Sequence, residues 1–424
     1  MKIHVDLDCF FVSAERTRDA SLMGIPVAIG GRGDPYIFSH TAIPQQCNLE
    51  VSGAFLGTFF QSYDAHTDDR AKFIDADGRI RGILTAVSYE ARAYGITTAM
   101  SIREALERCE HLIIKAPDMQ LYQHLSRELH SFLHTRIPLL EQASIDEFYG
   151  DLDGWIADED VDVFINTLRH DIAAELHLPV SIGASPTKSI AKLATSSAKP
   201  FGCKVIRADE VLSFIEPVAV ATFPGIGRAM QRQLSRYNIQ TLGDLVRAKA
   251  LLHAMSPYAA SLYTKVCGHD DDAVSPHRPR KSIGISRAFD PIMDRPELRR
   301  RILILSRHLA FAVMRLNVLP TTFRVAIRYE MSQHTHATAT RCRLFHEQWF
   351  KTLILTLFEQ AEQHRRLRIL HLSISCSQFT CNSKRTLSLL EFQHDTTGRK
   401  LSQSMQQMQQ KYGLNILRWG SELS

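Results

Sequence analysis

The stretch KIHVDLDCFFVSAE, residues 2–15, decides the reading of this chain. KIHVDL has the apolar, β-branched character of a buried strand. Two aspartates one residue apart, Asp6 and Asp8, interrupt it. An isolated buried carboxylate is costly unless something pairs with it, so a counter-charge is required nearby. An aromatic pair, Phe10 and Phe11, follows at once. A second acidic pair, Asp146 and Glu147, lies in SIDEFYGDLDG, where a strand, a turn and a strand are predicted. Two adjacent strands would bring Asp6, Asp146 and Glu147 together. Three carboxylates disfavour one another's ionised forms, and divalent cations relieve that. Mg²⁺ takes oxygen ligands, often one or two carboxylates plus substrate phosphates. Two such ions roughly 4 Å apart stabilise the attacking and leaving oxygens of phosphoryl transfer. Pattern alone leaves a second reading open, in which Asp6 caps a turn and Asp146-Glu147 is a solvated hairpin.

With 424 residues, the chain is long enough for two to four domains. Apolar residues at 45% and charged residues at 22% fit a globular protein. No apolar run reaches membrane-spanning length and no secretory leader is evident. The eight cysteines include no CxxC pair. A cytoplasmic protein with reduced thiols and no membrane partner is therefore expected. Charge is uneven. Residues 281–385 hold 18 Lys/Arg against 7 Asp/Glu, whereas residues 1–280 hold 28 against 35. A basic C-terminal domain beside an acidic region points to a polyanion binder with a separate catalytic or metal site.

Further along, IPVAIGG reads as a strand and GILTAVSYEARAYGI as strand then helix. SIREALERCEHL is an amphipathic helix with Ser101 and Glu104 in capping-box positions. Helices are predicted in DMQLYQHLSRELHSFLHTRI and VDVFINTLRHDIAAELHL, a strand in PVSIGAS, and a short helix in TKSIAKLATSSAKPFG stopped by Pro200 and Gly202. HDDDAVSPHRPRK looks like an interdomain linker. FRVAIRYEM and ILHLSISCS alternate like half-buried antiparallel strands on either side of a helix. DADG at 75–78 hints at a calcium loop, but its Gly is misplaced and position twelve is Ala86 rather than Glu. His334 and His336 alternate on a strand without an evident ligand partner.

HVDLDCFF, SYEARAYGI, SIDE and SIGASPTKSIAKLATSSAKPFG stand in an order that resembles the Y-family of translesion DNA polymerases, nearest to its bacterial polymerase IV branch. FPGIG and RKSIGISR carry the resemblance through the next two domains. It implies an α+β, multidomain right-hand polymerase: palm at 1–10 and 113–199, fingers at 11–112 with an insertion near 32–81, helical thumb at 200–272, linker at 273–280, little finger at 281–384 and a tail at 385–424. The insertion is longer than the family's usual link, and a position in or on the fingers near the templating base is expected for it.

The resemblance implies roles position by position. Asp6, Asp146 and Glu147 would hold two Mg²⁺, with the Leu7 backbone carbonyl on the second ion. Asp8 would be supporting. Phe11 matches the steric gate that occupies the space of a ribose 2′-OH, and Phe10 presents its N–H near the triphosphate. Tyr89 and Arg92, three apart on one helical turn, would grip triphosphate oxygens. Lys192 matches a third phosphate cation, with Lys188 and Lys199 nearby.

FPGIGRAMQRQL reads as a helix-hairpin-helix in which Pro224, Gly225 and Gly227 shape a turn facing a DNA phosphate. Lys281, Arg287, Arg324 and Arg328 would touch DNA, the last two from one strand face. TLSLLEF at 386–392 resembles a sliding-clamp peptide, with Thr386 for the usual Gln and Glu391 before Phe392. The following segment is more like the end of the polymerase V catalytic subunit, which admits an accessory subunit. The implied activity is low-fidelity, template-directed extension of primer-template DNA with dNTP. A non-catalytic DNA- and clamp-binding scaffold and another two-metal enzyme are the competing readings. Retention of all three carboxylates weighs against the first, and the helix-hairpin-helix weighs against the second.

Overall fold

Period-two alternation in Lys2–Leu7 sets up everything that follows. The computed structural model describes residues 1–32, 37–39, 69–75, 77–277, 279–380 and 389–422, and the backbone of 46–48 and 58–60. The chain divides into two units, Met1–Gly31 with Asp68–Arg278, and Arg32–Thr67 with Pro279–Ser424.

In the first unit Lys2–Leu7 is the middle of a five-stranded sheet. Its neighbours are Glu147–Asp151 and Val180–Ser185, both antiparallel, and Leu139–Gln142 and Cys203–Val205 lie outside them. Ile3, Val5 and Leu7 share one core with the helices Met119–His134 and Val161–Leu176. His4 and Asp6 therefore point to the other face, where His4 meets Thr195 of the helix Lys188–Ala198. That helix sits so close that a Cβ on Gly183 would lie 2.3 Å from the Ala191 carbonyl oxygen and 2.4 Å from the Thr195 nitrogen. Phe148 is fully buried, and a Cβ on Gly150 would meet Ile137 at 2.8 Å, so this bulky-then-bare pair packs beneath the carboxylates.

A three-stranded sheet, ordered Ile83–Val87, Val27–Gly31, Ile113–Lys115, lies in the same unit. The boundary expected from the sequence places residue 113 in the palm. Pairing of Val27 with Ile113 instead joins that strand to Val27–Gly31 and Ile83–Val87, residues expected on the other side of that boundary. Residues 211–266 form a cluster of short helices around Leu234, Leu242, Leu252 and Leu262. Among the described residues, no helix is long and apolar enough to cross a membrane.

The second unit is built on an antiparallel sheet ordered Ser282–Ile292, Ile369–Phe379, Pro320–Tyr329, His334–Thr340. The helices Arg295–Arg315 and Glu347–Ala361 share a core with one face of it. The helix Leu389–Tyr412 docks on this unit through Asp395, which accepts from Arg343 at 2.6 and 3.1 Å, and through Ser402, which accepts from the Glu347 N–H at 3.0 Å. Further along, buried Glu422 pairs with Arg307 at 2.7 Å and with Lys351.

The expected insertion at 32–81 lies largely outside the described residues, but its described parts correct its placement. Ile37 joins the core of the second unit, and Phe38 packs edge-on to Phe289, with Arg301 4.5 Å above its ring. Arg300 donates to the Phe38 carbonyl at 2.9 Å. An apolar pair needs a hydrophobic partner, and this one finds it on the C-terminal unit. Residues 69–73, by contrast, return to the first unit, where the Phe73 ring lies over Gly30.

Candidate active site

Antiparallel register puts Asp6 directly opposite Glu147, and the Leu7 N–H donates to the Asp146 carbonyl at 3.0 Å. The two acidic stretches therefore meet as expected, although 140 positions separate Asp6 from Asp146. Ligand atoms of His4, Asp6 and Glu147 all lie within 4.8 Å of one another. Asp146 adjoins them, its carboxylate accepting from Ser144 Oγ at 2.5 Å, while Ser144 Oγ accepts the Glu147 N–H at 3.1 Å.

The counter-charge is lysine. Lys199 pairs with Asp6, and Lys192 donates to both oxygens of Glu147 at 2.7 Å each. Lys188 is engaged elsewhere, with buried Glu141 at 2.7 Å. Two ammonium groups face three carboxylates, and the imbalance appears in their acidity. Burial pushes the Asp6 carboxyl up to about 6, the Lys199 contact opposes this, and the charges of Asp146 and Glu147 add to it. Asp146 is likewise raised, by burial first. Burial also raises Glu147, but its contacts with His4 and Lys192 outweigh that and hold it down at about 2. His4 is lowered, chiefly by burial, against the pull of Glu147. A cluster of half-buried to buried oxygen donors, short of positive charge, suits a hard divalent cation.

Asp8 has its own set of hydrogen bonds. It accepts from Ser181 Oγ at 2.8 Å, the Phe201 N–H at 2.7 Å and the Tyr89 hydroxyl at 3.2 Å. Cys9 then takes a left-handed conformation, φ +48°, and the helix Phe10–Arg18 starts immediately. First-turn amides of a helix lack intrahelical partners and favour anions. Phe10 is buried, whereas the Phe11 ring stacks on Tyr122 at 4.3 Å and 11°, and Tyr122 is fixed by its hydrogen bond to Glu15 at 2.7 Å. Ser88 caps the turn Tyr89–Arg92, and the Arg92 guanidinium lies 4.8 Å from the Tyr89 ring. Burial and Asp8 together raise the Tyr89 hydroxyl, so it stays a donor.

Of the expected residues, Asp6, Leu7, Asp146 and Glu147 meet on adjoining backbone, Phe10 and Phe11 begin the helix that follows, and Tyr89 reaches Asp8. Arg92 lies beside Tyr89. Lys192 is engaged by Glu147 rather than standing free. His4 joins the site without having been expected there, and Lys199, expected only as a neighbour of Lys192, pairs with Asp6. Alternation from Asp6 leads to His4, since residues two apart share a strand face. No such pattern leads to Lys199, because it follows the end of a helix.

Pro224, Gly225 and Gly227 lie between a single turn, Val220–Thr222, and the helix Arg228–Ser235. Gly225 has φ +97°, which favours glycine, and its carbonyl accepts from Tyr258 at 2.6 Å. In the second unit Arg324 and Arg328 share the face that the helices leave open. Arg324 lies between Thr338 and Ser375, and Arg328 between His334 and His371. Arg287 pairs with Leu372, a core residue, so it lies on the helix-covered face. Lys281 precedes the first strand. Residues 386–388 of the clamp-like peptide lie outside the described residues. Leu389 and Leu390, which begin the last long helix, are exposed.

Residues 5–196 match the impB/mucB/samB family, and residues 280–389 match the C-terminal domain of that family. DNA polymerase IV of Bacillus anthracis is 26% identical over 99% of this chain and 93% of that protein. DNA polymerase IV of Glaesserella parasuis is 31% identical over 67% of this chain and 68% of that protein. Among solved structures, a Y-family DNA polymerase chimera, Dbh-Dpo4(243-245)-Dbh, has a TM-score of 0.69 at 20% identity, covering 90% of this chain and 99% of that one. An insertion ternary complex of Dbh DNA polymerase has a TM-score of 0.55 at 19% identity, with the same coverage. With the two matched segments covering its sheet-borne carboxylates and its C-terminal sheet, the chain belongs to the Y-family of translesion DNA polymerases, close to DNA polymerase IV.

Proposed function

We propose that this DNA-directed DNA polymerase extends a primer by two-metal nucleotidyl transfer, with Asp6, Asp146 and Glu147 as the carboxylate ligands and the Leu7 carbonyl completing the second site. The observation that carries the reading is the Asp6–Glu147 register, with three carboxylates opposed by two ammonium groups. Two Mg²⁺ held there would stabilise the attacking 3′-oxygen and the leaving pyrophosphate. The chain's own residues do the rest. The amides of Phe10 and Phe11, the Tyr89 hydroxyl and Arg92 orient the triphosphate of a dNTP. Lys192 and Lys199 supply its remaining cations. Phe11, braced by Tyr122, excludes a 2′-hydroxyl. Asp8 holds the strand end, Ser181 and Phe201 in fixed relation.

Primer-template DNA is held through the backbone, by the Pro224–Gly227 turn and by the open face with Arg324 and Arg328. Extension is of low fidelity and passes damaged bases. Leu389, Leu390 and Phe392 offer a sliding clamp an exposed apolar group. An accessory subunit and a cytoplasmic setting complete the reading. A non-catalytic scaffold has no use for the paired carboxylates. Asp146→Ala should abolish primer extension with DNA affinity in a gel-shift assay largely kept. Extension by the variant at the wild-type rate would overturn the metal assignment.

A further inference from the structure

Lys192 and Lys199 do more than neutralise. Both belong to one short stretch, the helix Lys188–Ala198 and the residue that follows it. Each ammonium rests on a carboxylate that the two-metal reading needs for a cation: Lys199 on Asp6 and Lys192 across both oxygens of Glu147. The lysine side chains are 26% and 31% exposed, so each can swing into solvent without breaking a packed core. A carboxylate that accepts ammonium donors has fewer lone pairs left for a metal shell. Charge sharpens the conflict. Two divalent ions added to two ammonium groups exceed three carboxylates, and only a polyanionic triphosphate restores the balance.

We infer that Lys192 and Lys199 are exchangeable counter-ions. Each leaves its carboxylate when a divalent cation enters, and the released ammonium passes to the triphosphate. The lysines therefore oppose metal binding in the empty site and favour it once nucleotide is present. This couples metal and nucleotide through the same two side chains and keeps the carboxylates apart from free metal between turnovers. The inference rests on the two-metal reading above.

Electron paramagnetic resonance of Mn²⁺ tests it on the full-length, EDTA-stripped protein without DNA. With no nucleotide, Lys192→Ala and Lys199→Ala should each bind Mn²⁺ about tenfold more tightly than wild type, the scale of one screened charge. Lys199→Arg, which keeps the charge, should stay near wild type. Added dATP should tighten Mn²⁺ binding in wild type and do so much less in the alanine variants. Where an alanine variant melts early, Lys→Met keeps the stem without the charge and takes its place. Unchanged or weaker Mn²⁺ affinity in both alanine variants overturns the exchange. Protein that binds no Mn²⁺, wild type or alanine variant, with dATP or without, overturns the metal reading itself.

Discussion

Phe11 can act as a gate only if its ring is held still, and the sequence around it could not say so. The hold comes from Tyr122, more than a hundred residues away, stacked flat on it and pinned to Glu15. Two variants should therefore act in order. Phe11→Ala should admit ribonucleotides in single-nucleotide incorporation assays, and Tyr122→Ala should relax the same discrimination by a smaller factor with dNTP incorporation kept. Unchanged sugar selection in Phe11→Ala would remove the gate. The carboxylates were legible because aspartates inside an apolar strand demand an explanation. His4 was not, since a lone histidine in a strand reads as core. Lys199 was not, because only the folded chain returns it to Asp6.

At the scale of elements, the C-terminal sheet has two unlike faces. The open face carries Ser373, Ser375 and Ser377 along one strand, Arg324 and Arg328 along the next, and His334 and His336 along the edge. Removing Arg324 or Arg328 should weaken DNA binding alike for all sequences and lower the salt slope by about 1 for each phosphate left unneutralised. Arg287→Ala, on the covered face, should leave that slope unchanged. Equal slopes for all three variants would dissolve the distinction.

The covering helix Arg295–Arg315 holds His308, fully buried next to Arg307, with Nδ1 2.8 Å from the Ile304 carbonyl. Burial first, then Arg307, keep its imidazole well below the ordinary 6.5. The unfolded chain takes up a proton below pH 6.5 that the fold refuses, so stability falls as pH drops through that value. Urea midpoints should decline from pH 7 to pH 5, and His308→Gln should flatten the decline. This same helix, Arg295–Arg315, was the element least legible in the sequence. Arg300, Arg307 and His308 are buried along it, so polar residues interrupt the apolar stripe that marks an amphipathic helix. The strands around FRVAIRYEM and ILHLSISCS were legible because their other face is polar. The capping box predicted at Ser101 is half formed: Ser101 accepts the Glu104 N–H at 3.2 Å, but the Glu104 carboxylate turns to Arg108 at 2.8 Å.

For the whole molecule, fold class was readable because the motifs recur in a fixed order along the chain. The path of the chain between units was not. It leaves the first unit after Gly31, returns at Asp68 and leaves again after Arg278. A segment of 36 residues, Arg32–Thr67, thus passes from the N-terminal half into the second unit.

That excursion works as a stitch. A ribosome finishes Ile37 and Phe38 about 250 residues before it makes Phe289 and Arg301, the groups that will receive them, so the segment waits unburied while the first unit folds. Once sewn in, it should hold the molecule together after a nick. Cleavage at a protease site engineered between Val274 and His277 should leave both fragments co-eluting on gel filtration, and Phe38→Ala should let them drift apart. Clean separation of the nicked wild-type protein would unpick the assignment.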